Sequence, residues 1–361
     1  MSGPTEAPHP GRRANVVGVG LIGGSIGLVL RRAGWHVSGV DQDPTRTDRA
    51  LHLGVLDAVG LDPDAEITFV ATPVGAVTEA VDKALAATTG LVTDVGSVKA
   101  PIVEGIDDRR FVGGHPMAGS EQEGVDGASA DLFAGAVWVL TPTSGTDDTT
   151  YAQVRSIVAL MGAEILALDP ARHDEFVAVV SHVPHLTAAS LMRIADDRAD
   201  EHAALLRLAA GGFRDMTRIA SGHPGIWPDI CAENRTAIVA GLDRLIAALG
   251  DARDQVADND RSALLDDLTR ARSARVNLPS RYTRPSELVE VRVPVPDRPG
   301  VLADVTTLAT ELDVNIVDLE IAHSSEGVKG VLILLIEAGT TDVFRGGLLA
   351  RGYRPSIHPL G

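Results

Sequence analysis

The segment Gly18-Val19-Gly20-Leu21-Ile22-Gly23 constrains the fold of this chain more than any other. It is a G-x-G-x-x-G that follows a short apolar run, Ala14–Val19, and opens an apolar stretch continuing to Arg32. In that context the first glycine permits a tight turn, the second admits a pyrophosphate, and the third lets a helix pack closely on a strand. The free amides of the helix start, at Leu21 and Ile22, then face the phosphates. The pattern predicts a dinucleotide cradle; a glycine-rich turn without a ligand is the alternative.

A carboxylate stands where such a cradle needs one. The apolar run Trp35–Val40 ends at Asp41, 21 residues after Gly20. A carboxylate there accepts hydrogen bonds from the adenosine ribose hydroxyls and repels a 2′-phosphate, which favours NAD over NADP. Arg46, close by in sequence, is the one residue that argues for NADP.

Apolar, β-branched runs recur downstream in the manner of a buried parallel sheet. They are Ile67–Ala71, Leu91–Val95, Phe111–Gly113 and Ala136–Leu140. Their alternation with helix-like segments predicts an α/β Rossmann-type dinucleotide-binding domain over residues 14–168. Ligands of such sheets bind at the carboxyl ends of the strands.

Three of these strand ends carry small or polar side chains and are expected to meet in one crevice. They are Thr72-Pro73, the segment around Ser97, and Gly113–Glu121 with His115. A neutral imidazole can take a hydroxyl proton near pH 7 while a hydride leaves for a nicotinamide. We therefore assign His115 as base, with Ser97 sharing the substrate hydroxyl; an isolated loop histidine would otherwise be merely solvated.

Residues 169–278 are predicted to be all-helical. Asp169-Pro170 is typical of a helix N-cap and first turn, and no strand pattern occurs before Val289. Phe176–Met192 is apolar on nearly every side, so it is expected inside a helical core or a subunit interface, with a kink at Pro184.

Two polar pairs interrupt this helical region. His182 and His185 are expected on one helix face, but no carboxylate or cysteine follows at ligand spacing, so hydrogen bonding is favoured and no metal is predicted. Arg214 and Arg218 are also expected on one face, where they could grip a carboxylate. A surface ion pair with Asp215 is the alternative.

Residues 270–286 carry five arginines and two prolines without an apolar period, which indicates a linker. Beyond it, residues 286–361 show the strand and helix order βαββαβ, which is typical of a ferredoxin-like α+β domain. A third domain is therefore expected there.

Composition narrows the function classes. The 361 residues include 49 acidic and 32 basic side chains, a net charge of −17, which argues against binding of nucleic acid or an anionic membrane surface. No apolar run is long enough to span a bilayer, and Met1–Arg13 lacks the apolar core of a secretory signal, so a cytoplasmic protein is expected. The single cysteine, Cys231, rules out an intrachain disulfide.

Several stretches together resemble the prephenate/arogenate dehydrogenase family with a C-terminal ACT domain. They are Gly18–Leu28, Ala71–Val74, Thr93–Lys99, Phe111–Glu123, Ser181–His185 and Phe213–Asn234. The resemblance covers nearly the whole chain from Ala14 and implies an NAD-dependent oxidative decarboxylation of prephenate to 4-hydroxyphenylpyruvate. It also implies a homodimer formed through the helical domain.

The resemblance assigns roles to individual residues. It makes His115 the base, Ser97 its orienting partner, Arg218 the ligand of a substrate carboxylate, and His185 and Glu121 further pocket residues. In the C-terminal domain, the turn Asp297–Gly300 matches the place where ACT modules bind amino-acid effectors. Tyrosine is the first candidate for that effector, and a module that only pairs subunits is the alternative.

Three alternatives stay open or are weakened by the sequence. The β-hydroxyacid dehydrogenases share this outline but use a lysine in the helical domain, and here no lysine lies between 100 and 328. A non-catalytic NAD and amino-acid sensor would not need His115, Ser97 and Arg218. Arogenate, which carries an ammonium where prephenate has a keto group, is a possible substrate within the family; prephenate is favoured because His185 can donate to a keto carboxylate.

Overall fold

The computed structural model describes residues 11–120, 122–199, 205–278, 288–296, 298, 300–323 and 329–359. The chain forms two compact units, residues 1–248 and residues 249–361, each of which is described by itself. No helix in the described ranges is long and apolar enough to cross a membrane.

The first unit contains an eight-stranded sheet in the order β3-β2-β1-β4-β5-β6-β7-β8. Its strands are β1 Arg13–Val17, β2 His36–Val40, β3 Ala58–Val59, β4 Ile67–Val70, β5 Leu91–Asp94, β6 Phe111–Pro116, β7 Val137–Thr141 and β8 Glu164–Ala167. The predicted Rossmann-type arrangement is confirmed, because the five pairings from β3 through β2, β1, β4 and β5 to β6 are parallel, and so is the pairing of β7 with β8.

The expectation of a wholly parallel sheet is wrong at one place, because β7 runs antiparallel to β6. A parallel neighbour needs a crossover connection, usually a helix. The described residues between β6 and β7 hold only the short 3-10 turn Val125–Gly127, so the chain returns antiparallel.

Helices cover the sheet and bury its apolar side chains. They are α1 Leu21–Arg32, α2 Pro44–His52, α3 Val77–Ala87, α4 Ala100–Glu104 and α5 Asp148–Ala159. The main core joins Ile26 and Leu30 of α1 to Val16, Phe69 and Trp138 of the sheet, all with at most 1% of their surface exposed.

The helical region follows β8 and includes α6 Pro170–Val177, α7 Val183–Ala199, α8 Gly211–Thr217, α9 Trp227–Glu233 and α10 Arg235–Ala257. Asp169 caps α6 as predicted, since its carboxylate accepts the amide protons of Ala171 and Arg172. The irregularity expected near Pro184 is a π-helical turn, Ala178–His182, which ends just before this proline, a residue without an N–H.

The helical region departs from prediction in two ways. Within Phe176–Met192, the side chains of Phe176, Val179 and Val180 are 45%, 54% and 67% exposed, so a place in the core of this subunit is wrong for them. The linker predicted from residue 270 is also wrong in its first part. Helix α11, Arg261–Val276, is capped by Asp260 and runs through it, because its arginines, alanines and leucines favour helix without needing a buried face.

The second unit confirms the predicted βαββαβ order. Its elements after α11 are β9 Leu288–Pro296, α12 Val301–Glu311, β10 Ile316–His323, β11 Lys329–Glu337, α13 Thr341–Ala350 and β12 Ser356–Pro359. The four strands form an antiparallel sheet in the order β10-β11-β9-β12. Val293, Leu334, Ile336 and Phe344 form the centre of its core, with none of their surface exposed.

Candidate active site

The turn between β1 and α1 has the geometry of a phosphate cradle. Gly18 has φ +89°, and a Cβ there would lie 2.5 Å from the carbonyl oxygen of Ala71, so only glycine fits. At Gly20 an added Cβ would meet no protein atom within 4 Å, yet this residue lines the large cleft described below. Packing within the protein therefore does not require Gly20, whereas close approach of a pyrophosphate does.

Asp41 is held at the rim of this cradle. Its Oδ2 accepts the amide proton of Val19 at 2.8 Å, and its Oδ1 accepts that of Asp43 at 3.0 Å. Each carboxylate oxygen keeps a second lone pair, so the group can still accept from a ribose diol. Arg46 lines the same cleft, 3.9 Å from the carboxylate of Asp43.

A cleft of about 1240 Å³ connects the cradle with the helical region. The predicted site residues that line it are Gly18, Gly20, Leu21, Ile22, Asp41, Thr72, Pro73, His185 and Arg218. Gly23 has the packing role predicted for it, since a Cβ there would lie 2.0 Å from the carbonyl oxygen of Gly18. The hydroxyl of Thr72 is buried without a hydrogen-bond partner in the described structure, which leaves it available to a ligand. These residues fit a dinucleotide.

His115 lies within β6, opposite Val139 of β7, and is half-buried. Neither His115 nor Ser97 is among the residues that line the cleft, but the loop that follows β6 lines it at Gly119 and Ser120. Its Nδ1 lies 2.8 Å from Nε2 of His173. Burial lowers the pKa of His115 well below its ordinary value, and the neighbouring His173, Lys99 and His182 act in the same direction. His115 is therefore neutral at pH 7, as a general base must be.

His173 and Asp174, at the start of α6, form a contact that the sequence analysis missed. Nδ1 of the fully buried His173 lies 2.8 Å from Oδ1 of Asp174. The helix start at Asp169-Pro170 was predicted from the sequence, but an adjacent His–Asp pair in a helix is equally typical of a solvated surface. Only the tertiary fold brings His173 into contact with His115.

Two buried carboxylates fix the segment that carries Ser97. Asp94 accepts the amide protons of Gly96 and Gly114 and forms an ion pair with Lys99, in which neither side chain is exposed. Asp174 accepts the amide protons of Lys99 and Ala100 at 2.7 and 2.8 Å. The half-buried Ser97 thus lies in a loop held from both ends, next to the strand of His115.

His182 and His185 both contact the ring of Trp227, in agreement with the predicted shared face, and His182 meets this ring edge to face with centroids 6.1 Å apart. His182 is buried, its Nδ1 lies 3.2 Å from Nδ2 of Asn234, and burial lowers its pKa to about 4. His185 lines the cleft and stacks on Trp227, with ring centroids 3.6 Å apart. Within the described ranges, no group of three or more potential ligands could hold a metal ion.

Arg214 and Arg218 do not lie on one helix as predicted, because α8 ends at Thr217 and Arg218 begins a 3-10 turn, Arg218–Ser221. Arg218 lines the cleft, whereas Arg214 donates to the carbonyl oxygen of Ala209. Glu121 and Asp297 lie outside the described residues.

Comparison with known proteins gives this site a context. The chain is 33% identical to the prephenate dehydrogenase of Bacillus subtilis (strain 168), over 88% of this chain and 90% of that protein. The chain belongs to the prephenate dehydrogenase family. Residues 26–167 match the family model "Prephenate dehydrogenase, nucleotide-binding domain", and residues 169–270 match "Prephenate dehydrogenase, dimerization domain".

Solved structures of the prephenate dehydrogenase family share the fold. The enzyme from Aquifex aeolicus, in complex with hydroxyphenyl propionate and NAD⁺, is 30% identical and superposes with a TM-score of 0.69 over 73% of this chain and 97% of that chain. Synechocystis arogenate dehydrogenase is 32% identical, with a TM-score of 0.64 over 73% of this chain and 98% of that chain. Relatives of this chain thus bear the names of both predicted substrates.

Proposed function

We propose that this chain is an NAD-dependent prephenate dehydrogenase that converts prephenate to 4-hydroxyphenylpyruvate and CO₂. One combination of features carries the proposal: a dinucleotide cradle with Asp41 at its rim, and a neutral histidine, His115, at the root of the loop lining the same cleft. The similarity to the Bacillus subtilis enzyme over 90% of its length supports the same activity.

The cofactor would be held by the residues of the cradle. These residues line the cleft, where the amides of Leu21 and Ile22 would bind the pyrophosphate, Asp41 would accept from the ribose, and Thr72 with Pro73 would contact the nicotinamide half. Bound NAD⁺ supplies the acceptor for the hydride that leaves C4 of the substrate ring.

His115 manages the proton of this reaction. As the hydride leaves C4, Nε2 of His115 takes the proton of the C4 hydroxyl, so that positive charge does not build up on oxygen. Loss of CO₂ then sends an electron pair through the ring to that oxygen as the ring becomes aromatic. The oxygen takes the proton back from His115, which leaves the base ready for another turnover.

The remaining predicted residues would bind the substrate. Arg218 and His185 line the cleft, where Arg218 would bind a carboxylate through its guanidinium and His185 would donate to the keto carboxylate. Ser97 would orient the hydroxyl toward His115, and the resemblance to the family assigns Glu121 to the substrate as well. The neutral state of His185 follows from burial, which lowers its pKa.

Steady-state assays with prephenate and arogenate, each with NAD⁺ and NADP⁺, test the proposal. The expected result is formation of NADH with prephenate, at a higher kcat/KM than with any other combination. A preference for arogenate would identify an arogenate dehydrogenase, the alternative that the Synechocystis relative supports. If neither substrate yields reduced cofactor, the non-catalytic sensor is favoured instead.

We also propose that the subunit forms a homodimer through its helical region. Val179, Val180, Ile194 and Val239 are large apolar side chains there with about half or more of their surface exposed. Burying such a surface against a second copy removes it from water. Sedimentation equilibrium should give twice the 37.7 kDa chain mass, and Val239→Asp should shift it toward the monomer.

For the C-terminal sheet, we propose an ACT domain that binds tyrosine near the turn at Gly300. The βαββαβ order supports it, and α12 begins directly after Gly300, so its free amides could receive a carboxylate. Removal of residues 286–361 should leave prephenate oxidation intact and abolish inhibition by tyrosine. If the shortened enzyme stays equally sensitive, tyrosine competes in the substrate pocket, and the regulatory proposal fails.

A further inference from the structure

His115 is one end of a row of three side chains, with His173 and Asp174, that lies behind the cleft-lining residues Gly119 and Ser120; none of the three is itself among the residues that line the cleft. Nδ1 of His115 lies 2.8 Å from Nε2 of His173, and Nδ1 of His173 lies 2.8 Å from Oδ1 of Asp174. The two imidazoles meet edge to face, with centroids 5.0 Å apart and planes at 74°. Among the residues that the structure describes, each ring nitrogen of these two histidines has a hydrogen-bond partner except Nε2 of His115.

The carboxylate sets the direction of the hydrogen bonds. Asp174 also accepts the amide protons of Lys99 and Ala100, so both its oxygens already act as acceptors from backbone groups that can only donate. An ionised carboxylate cannot donate, so the proton in the His173–Asp174 contact belongs to Nδ1 of His173. Neutral His173 must then accept at Nε2, and His115 donates from Nδ1. Nε2 of His115 is left with its lone pair.

The opposite arrangement would disable the base. If His173 carried its proton on Nε2 instead, that N–H would donate to His115, and the single proton of a neutral His115 would move to its own Nε2. That atom could then no longer accept the proton of a substrate hydroxyl. The lone pair on Nδ1 of His173 would then face the carboxylate of Asp174, which is unfavourable. The position of Asp174 therefore decides which tautomer His115 adopts.

We propose that His173 and Asp174 are positioning residues that hold His115 in the tautomer with a free Nε2 and stabilise the imidazolium formed when His115 takes the substrate proton. This inference rests on the proposed function. During turnover the proton bonds to Nε2 of His115, and the new positive charge is shared through the Nδ1–H bond with His173 and balanced by the carboxylate of Asp174. When the proton returns to the product oxygen, all three groups regain their initial states.

The surroundings explain why such a counter-charge is needed. His173 has no exposed surface, and the ammonium of Lys99 is equally buried nearby, where it disfavours a second cation. An imidazolium at His115 without a carboxylate behind it would therefore be costly. The carboxylate itself is anchored through its own helix, because Asn234 donates to the backbone carbonyl oxygen of Asp174 at 2.8 Å.

The test compares His173→Leu with His173→Gln. Leucine leaves Nδ1 of His115 without an acceptor, whereas glutamine can accept from His115 through its oxygen and donate to Asp174 through its nitrogen. We expect His173→Leu to lower kcat about 10²-fold or more. The KM values for prephenate and NAD⁺ should stay nearly unchanged, because neither His173 nor Asp174 lines the cleft in the described structure. His173→Gln should retain kcat within about tenfold of the parent chain. A His173→Leu enzyme with the parent kcat, or equal losses in the two folded variants, would overturn the proposal.

A spectroscopic measurement separates this role from a merely structural one. In protein labelled with ¹⁵N-histidine, the His115 resonances, assigned by their loss in His115→Asn, should show a protonated Nδ1 and a bare Nε2. In His173→Leu the two tautomers should mix. A predominantly Nε2-protonated His115 in the parent chain would contradict the inference. Failure of the proposed function is a distinct outcome, since it would appear as absent prephenate oxidation in a chain that still shows this tautomer.

Discussion

Lys99 and Asp94 form an ion pair in which neither side chain has any exposed surface. The pair joins the end of β5 to the start of α4, and Asp94 also accepts the amide proton of Gly114, the residue before His115. It thus connects the two segments that carry the proposed Ser97 and His115 functions. Burial lowers the pKa of Lys99, while Asp94 opposes this effect.

Lys99→Met should destabilise the protein strongly, because it leaves the carboxylate of Asp94 buried without its counter-charge. We expect a loss of roughly 3–5 kcal/mol in the free energy of unfolding, measured by urea denaturation. Lys83→Met is the matched control, because the ion pair of Lys83 with Glu79 is exposed and should contribute little. A Lys99→Met protein as stable as the control would refute this reading of the pair.

Asp41→Asn should reduce the preference for NAD⁺ over NADP⁺. The change removes the charge that repels a 2′-phosphate and weakens the hydrogen bonds to the ribose, so kcat/KM with NAD⁺ should fall roughly 10- to 100-fold. Asp48→Asn changes an acid to an amide at an exposed position of α2 that is not among the cleft residues in the described structure, so it should leave the preference unaltered. If both variants keep the parent ratio of kcat/KM values, Asp41 does not select the cofactor.

His115→Asn should lower kcat about 10²- to 10⁴-fold while NAD⁺ still binds. In the parent enzyme, burial together with His173, Lys99 and His182 lowers the pKa of His115. The neutral, active form therefore persists as the pH falls below 6.5, and the acid limb of kcat/KM should lie below that value. His52→Asn, a change at an exposed position on α2, provides the control for loss of a histidine. An acid limb at or above pH 6.5 would be inconsistent with a buried base.

The sequence predicted those features whose cause is local. The cradle at Gly18–Gly23 and the cap at Asp169 are determined by backbone geometry within a few residues, and both occur where expected. The direction of β7 was not predictable from its own apolar pattern, because parallel and antiparallel buried strands look alike in sequence. The direction of β7 depends on the connection from β6, whose described residues contain no crossover helix.

Features that depend on tertiary contacts could not be predicted from the sequence. His173 and Asp174 become informative only when α6 packs beside β6, and the sequence offers no signal for that contact. The π-helical turn Ala178–His182 was likewise not predicted, since the sequence indicated only a kink at Pro184.

Arg218→Ala should raise KM for prephenate about tenfold or more, because the substrate carboxylate would lose a charged, bidentate hydrogen-bond donor. Arg214→Ala is the matched control, since that side chain bonds the carbonyl oxygen of Ala209 and does not feature among the cleft residues in the described structure. The kcat of both variants should stay near the parent value. Equal KM effects at the two positions would show that the substrate carboxylate binds elsewhere.

Trp227 should hold the imidazole ring of His185 in its orientation through stacking. The two rings are nearly parallel, at 13°, with centroids 3.6 Å apart, and both residues line the cleft. Stacking of this kind contributes about 0.5–1.5 kcal/mol, so Trp227→Leu should raise KM for prephenate roughly 2- to 10-fold by loosening His185. Trp227→Phe keeps an aromatic face and should remain close to the parent enzyme.

The same contact provides an optical test of the His185 charge state. A protonated imidazole quenches a stacked indole, and burial lowers the pKa of His185, so Trp227 fluorescence should stay high at neutral pH and fall only below pH 6.5. Because the chain has three tryptophans, the titration is measured as the difference between the parent and Trp227→Phe. His185→Gln should abolish the transition. A transition that survives this change would mean that another group reports on Trp227, and His185 would no longer be assigned as the neutral donor to the substrate.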